Sequence, residues 1–186
     1  MEHKAGFVNI IGNPNVGKST LMNVLMGEKL SIITHKAQTT RHRILGILNE
    51  ENYQIVFSDT PGIIKPAYKL QESMMNFVQS AFQDADVLIY MVEIGEKSLK
   101  DEALFEKIKN TKIPLLLLIN KIDLAQQKAV EEQINLWKEK VPNAEILPIS
   151  ALNKFNIEKI LVRIKELLPE APAFYEKDAI TDKPKR

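Results

Sequence analysis

The chain has no cysteine, which excludes disulfides, thiolate metal sites and thiol nucleophiles. It has no surplus of either charge: Lys plus Arg number 25 against 24 for Asp plus Glu. No global field therefore draws it to nucleic acid or anionic lipid, and any RNA contact must be local. Long apolar runs are also missing. Leu115–Ile119, with Ile113-Pro114 before it, is far too short to span a bilayer. Met1-Glu2-His3-Lys4 leads into a strand pattern with no signal-peptide core. Internal repeats and low-complexity tracts are lacking too. These exclusions point to a reduced, cytoplasmic, soluble protein. What is present is an ordinary balance of 45% apolar and 26% charged residues over 186 positions. That length suits one domain able to bury roughly 70% of its unfolded surface.

Apolar strand-like runs alternate with stretches of helical period. The strand candidates are Phe7–Ile11, Arg43–Leu48, Tyr53–Asp59, Val87–Val92, Ile113–Asn120 and Glu145–Ser150. Between them, Thr20–Met26 reads as helix. Leu70, Met74, Phe77, Val78 and Ala81 recur at helical spacing, as do Val130, Ile134, Trp137 and Val141. Ile157, Ile160, Leu161, Ile164, Leu167 and Leu168 form the clearest stripe. Gly27 is placed to cap the first helix at its C-terminus, and Asn156 to cap the last at its N-terminus. The short polar link Asn49–Asn52 makes its flanking strands an antiparallel hairpin. The other strands are separated by helices and should run parallel. The expectation is an α/β fold: a six-stranded, mostly parallel sheet with one antiparallel strand and helices on both faces. Residues 1–168 then form one domain, and the Pro-rich, charged 169–186 a linker.

Four polar motifs follow the strands, and ligands of such sheets sit at the carboxyl ends of strands. Gly12-Asn13-Pro14-Asn15-Val16-Gly17-Lys18-Ser19, with Thr20 next, fills the pattern G-x-x-x-x-G-K-[ST] between a strand and a helix. Its backbone N–H groups can converge on phosphate oxygens at a helix start. Lys18 reaches the outer phosphates and the Ser19 hydroxyl suits Mg²⁺. Asp59-Thr60-Pro61-Gly62 alone reads as a turn. After a phosphate loop and at a strand end, Asp59 can hold Mg²⁺ through water while the Gly62 N–H meets a γ-phosphate. Asn120-Lys121-Ile122-Asp123 supplies an acceptor-only carboxylate at Asp123 for the N1–H and N2–H₂ edge of guanine. Adenine lacks that donor pair. The Lys121 stem can cover the base face, and Asn120 can tie this loop to the phosphate loop. Ser150-Ala151-Leu152 can present N–H groups to guanine O6. Within the polar stretch Ser31–Arg43, Thr40, with Thr39 second, is the candidate to complete the Mg²⁺ shell when a γ-phosphate is bound.

Taken in order, G-x-P-N-V-G-K-S, T-T-R-H-R, D-T-P-G, N-K-I-D and S-A-L resemble the translation-factor-related GTPases, in the group containing Era, EngA and TrmE. The loop Lys36–Arg43 is most similar to the Era type. The resemblance covers about Phe7–Leu168 and implies the Ras-like P-loop NTPase fold in three α/β/α layers. It also implies GTP and GDP as ligands, Mg²⁺, slow hydrolysis with Lys18, Thr40 and Gly62 in catalytic roles, and a monomeric switch. The implied partner is the small ribosomal subunit and its 16S rRNA, with peripheral contact at the inner face of the cell membrane. Relatives with an asparagine at the Asn15 position use K⁺ beside the phosphates. Era-type proteins also carry an RNA-binding KH domain with a G-x-x-G loop. The seven glycines, Gly6, Gly12, Gly17, Gly27, Gly46, Gly62 and Gly95, contain no such pair. The chain is therefore expected to be the GTPase part of a longer protein.

One residue departs from the common pattern. Ile63 stands directly after D-x-x-G, where many GTPases have a water-orienting glutamine. Gln71 and Gln38 are the alternatives by chemistry alone. The departure opens a competing reading, a non-hydrolysing, GTP-gated binding module. A sister assembly GTPase of the EngA or TrmE kind is a second alternative. An ATP-using P-loop transferase is a third, opposed by N-K-I-D.

Overall fold

The computed structural model describes residues 3–13, 16–27, 30–31, 43–59, 82, 85–97 and 102–174. Among the described residues, seven strands form one sheet: β1 (Lys4–Gly12), β2 (Leu30–Ser31), β3 (Arg43–Glu50), β4 (Tyr53–Asp59), β5 (Val87–Glu93), β6 (Leu115–Asn120) and β7 (Ala144–Pro148). Their order is β2-β3-β4-β1-β5-β6-β7, and β3 alone runs against the rest. All six expected strands are present. The addition is β2, a two-residue strand paired with β3 through Leu30↔Leu48 and Ser31↔Ile47. The hairpin turns at Glu51-Asn52, as the polar link requires.

Because β4 and β5 flank β1 on opposite sides, the chain reverses direction across the sheet at β1, where ligands of open α/β sheets bind. The strand register brings Asp59 beside Ile10, Met91 beside Gly12, and Glu93 beside Asn120. The carboxyl ends of β1, β4, β5 and β6 thus meet at one rim.

The described helices are α1 (Lys18–Met26), α2 (Glu102–Asn110), α3 (Gln127–Lys140) and α4 (Ile157–Leu167), with a single 3₁₀ turn at Ile122–Leu124. On one face, Leu21 and Leu25 of α1 and Ile157, Ile160 and Ile164 of α4 pack on Ile10, Ile89 and Leu118. On the other, Ile108 of α2 and Trp137 of α3 pack on Leu88, Tyr90 and Leu117. Residues of β5 alternate between the two clusters, as the two-residue period of a strand demands. This is the three-layer arrangement. The Leu70–Ala81 stripe lies outside the described residues. Ile164 is fully buried against the sheet. Ile164→Val removes one methylene from this site and is expected to cost about 1 kcal/mol, read as a shift in the urea midpoint with unchanged slope.

Gly27 caps α1 as expected, at φ 49°, with its N–H donating to Asn23 O. Asn156 does not cap α4 through its side chain. It adopts a left-handed φ of 63°, and its Nδ2 donates to Pro148 O at 2.9 Å, tying the helix start to β7 instead. Beyond Leu168 the chain runs along the amino-terminal end of β1. Ala5 N donates to Pro169 O at 3.3 Å, Ala171 N to His3 O at 3.0 Å, and Phe174 N to Gln54 Oε1 at 2.8 Å. The Phe174 ring lies 5.0 Å from that of Phe7. Among the described residues, no helix is long and apolar enough to cross a membrane.

Candidate functional site

The apolar strand β1 ends at Gly12, where a Cβ would stand 2.6 Å from Met91 O. Only glycine lets the chain turn off the sheet beside β5. Gly17 is the second constrained position: φ is +106°, and α1 begins at the next residue. A Cβ there would run into the Asn120 amide. Gly17 therefore leads directly into a helix N-terminus. Lys18, Ser19 and Thr20 stand there, with the last two exposed. Together with Gly17 and Lys121 they line a cavity of about 360 Å³.

Asn120 closes β6 and is only 3% exposed. Its Nδ2 donates to Val16 O at 2.8 Å, and its Oδ1 accepts from Ala151 N at 3.0 Å. One buried amide thus fastens the N-K-I-D loop to the phosphate loop and to the end of β7, using both of its polar ends. This is the tie expected from the sequence. Lys121 takes a left-handed φ of 67°, which turns the chain into the 3₁₀ segment. Its Nζ pairs with Glu93 Oε2 at 2.6 Å.

The exposed Asp123 carboxylate is steered by Ser150, whose Oγ donates to Asp123 Oδ1 at 2.8 Å while accepting from Asn153 N at 3.2 Å. Ile122, Asp123, Ser150, Asn153, Lys154 and Phe155 line a second cavity of about 470 Å³. Lys121, which lines the first cavity, and Ile122, which lines the second, are consecutive in the chain. Two of the N–H groups expected to face guanine O6 are engaged within the protein: Ser150 N donates to Phe155 O at 3.3 Å, and Ala151 N to Asn120. Leu152 is 76% exposed at the rim.

The sequence and the fold have counterparts among known proteins. The model of the 50S ribosome-binding GTPase family matches residues 7–121. This chain belongs to that family. Among curated relatives of this family member, GTPase Era of Alkaliphilus metalliredigens is 44% identical over 187 residues, covering all of this chain and 63% of its own length. GTPase Era of Staphylococcus haemolyticus is 43% identical over 186 residues, with 62% of its length covered. The chain therefore spans about three fifths of these relatives. A solved structure of an Aquifex aeolicus Era variant bound to GDP·AlF₄⁻ matches with TM-score 0.76 and 40% identity, over 97% of this chain and 62% of that one. Era in complex with MgGDPNP and nucleotides 1506–1542 of 16S ribosomal RNA matches with TM-score 0.76 and 41% identity, over 98% and 63% respectively. Family and three-layer fold agree.

Among the expected site residues, Gly12, Asn13, Val16, Gly17, Lys18, Ser19, Thr20, Asn120, Lys121, Asp123, Ser150, Ala151 and Leu152 lie at this one rim of the sheet. The Asp59 backbone ends β4 at the same rim. Pro14, Asn15, Thr40, Thr60, Pro61, Gly62 and Ile63 lie outside the described residues. The donor set suits Mg²⁺: Ser19 offers a hard hydroxyl oxygen in the cavity with Lys18. Among the described residues, no group of three His, Asp or Glu side chains could hold a metal unaided. A cation here would depend on phosphate oxygens and water, as Mg²⁺ at nucleotides does. Glu93, Glu96 and Gln133 also gather at this rim without any sequence signal. No motif carries them, and acidic residues at a strand end read as solvated turn.

Proposed function

We propose that this chain is a GTP-binding switch that hydrolyses GTP slowly and acts in maturation of the small ribosomal subunit. The observation that carries this is Asn120, which locks a phosphate-loop carbonyl and the Ser150–Leu152 segment around a single point. The loop that bears the steered carboxylate is thereby tied to the loop that leads into the helix start. In this reading, Asp123 accepts from the guanine edge and the Lys121 stem covers the base. N–H groups of residues 12–20 hold the phosphates. Ser19, Thr40 and Asp59 are the protein donors for Mg²⁺, which when bound neutralises charge on the β- and γ-phosphates. Lys18 and the Gly62 N–H stabilise charge spreading onto γ-phosphate oxygens. Thr60, Pro61 and Ile63 border the γ-phosphate. Asn15 favours K⁺ as a second, monovalent cation.

The 40–44% identity to Era proteins, one of them solved with a 16S rRNA fragment, supports the ribosomal role. In a longer protein, RNA contact would fall mainly to the part beyond these residues. A cytoplasmic monomer is the corresponding state. Ile63 motivates a second reading, a GTP-gated module without hydrolysis, because its side chain can neither donate to water nor accept from it.

Two measurements on the purified chain decide. Excess ATP should fail to displace labelled GTP, whereas GDP should displace it fully; displacement by ATP refutes the guanine pocket. Single-turnover hydrolysis should proceed slowly with Mg²⁺ and faster in K⁺ than in Na⁺. Inertness in both salts selects the non-hydrolysing module, and equal rates remove the role of K⁺.

A further inference from the structure

The residues after β5 carry contacts that no nucleotide motif explains. Glu93-Ile94-Gly95-Glu96 is a tight turn, closed by Glu96 N donating to Glu93 O at 3.0 Å, with Gly95 at φ +94°. Ile94 N donates to Asn120 O at 2.9 Å, which seats the turn against the end of β6. Glu96 then reaches three elements. Its carboxylate accepts from Asn13 Nδ2 of the phosphate loop and, at 3.2 Å, from the Glu93 N–H. Its carbonyl accepts from Gln133 Nε2 of α3. Both Asn13 and Gln133 are 8% exposed, so these bonds are shielded from water. At the other end of the turn, Glu93 pairs with Lys121 of the N-K-I-D loop at 2.6 Å.

We propose that the Glu93–Glu96 turn is a bracket setting the spacing between the two nucleotide loops, with Glu96 positioning Asn13 at the phosphate end and Glu93 positioning Lys121 at the base end. The inference rests on the nucleotide-switch reading above. Both glutamates are positioning residues that act through another side chain. Their weights differ. The Asn13 side chain is buried and bonded to a full charge, so its loss should be felt strongly. The Glu93–Lys121 pair is about a third exposed at each end, at 41% and 34%, and is screened accordingly. A merely stabilising turn would lower affinity for every nucleotide alike. A bracket gripping two separate loops separates the phosphate and base contributions.

The test measures binding of fluorescent GDP and a non-hydrolysable GTP analogue, with GTP and ITP as competitors. It uses the 186-residue chain as wild type, Glu96→Ala, Glu96→Gln, Glu93→Ala and Asn13→Ala. Glu96→Ala should weaken the triphosphate about tenfold, as loss of a hydrogen bond to a charged group does, and the diphosphate less. Glu96→Gln keeps one acceptor for Asn13 but turns its N–H₂ toward the Glu93 N–H, and should recover only part of the loss. Glu93→Ala should weaken both nucleotides by a common factor of about two to three. It should also narrow the preference for GTP over ITP, whose base lacks the 2-amino group. Asn13→Ala should match Glu96→Ala, and the double variant should lose no more than either alone. If Glu96→Ala melts out, Asn13→Ala carries the phosphate arm by itself. Wild-type affinities in these variants, or one common loss across all ligands, overturns the bracket. A wild type that ignores guanine nucleotides overturns the switch reading instead.

Discussion

Asp123→Asn is expected to lower affinity for GDP by about a hundredfold or more while creating affinity for the xanthine nucleotide. The carboxylate presents two acceptors, and Ser150 Oγ holds Oδ1 from the side at 2.8 Å. That grip fixes the plane in which the other oxygen and its lone pairs lie. An amide keeps the oxygen that Ser150 needs, so the local structure survives. It puts an N–H₂ where the guanine edge also donates, and donor faces donor. Xanthine carries an oxygen at that corner, so the same change repairs its fit. Competition titrations with GDP and XDP against one fluorescent ligand read both effects. A variant that keeps its wild-type ranking would remove Asp123 from base recognition.

Gly17→Ala is expected to lower stability by about 3 kcal/mol and to abolish nucleotide binding. Left-handed backbone costs an alanine about 1–2 kcal/mol relative to glycine, and φ here is +106°. The new methyl would also push into the Asn120 amide. Asn120 cannot retreat without releasing Val16 O or Ala151 N, and a buried amide left unpaired costs about 1–3 kcal/mol more. Thermal unfolding of a chain this size should fall by about 6–12 °C. Gly27→Ala offers the contrast. It too has positive φ, 49°, but nothing lies within 4 Å of the methyl it would gain, so only the backbone cost applies. Similar losses at the two positions would show that contact with Asn120 contributes nothing.

Legibility in the sequence varies by element. Tyr53–Asp59 matches β4 residue for residue, because its alternation is bounded by a polar turn on one side and a motif on the other. The Ile113–Asn120 run begins two residues early, since Pro114 lacks an N–H for the ladder and the observed strand starts at Leu115. The two residues of β2 are too few to show any period. The helix α2 spans only nine residues, too short for a long apolar stripe to announce it, although Ile108 on it is fully buried. At the site, the residue types in the motifs foretold Asn120 as a tie. They could not foretell that Ser150 would steer the Asp123 carboxylate, nor that Asn156 would spend its amide on Pro148 rather than on its own helix. Those are facts of proximity between distant positions. Glu93 and Glu96 are illegible for the same reason: their partners arrive from the phosphate loop, the N-K-I-D loop and α3, far away in the chain.

The single tryptophan of the chain sits edge-on to Tyr90, with ring centroids 5.6 Å apart, and its side chain is sealed from solvent. It occupies α3 one turn beyond Gln133. The protein thus carries an internal fluorophore in the layer beneath its loops rather than among them. Its emission should be blue-shifted in the native state and move red when that layer opens, giving a label-free optical record of unfolding that bound nucleotide does not quench by contact.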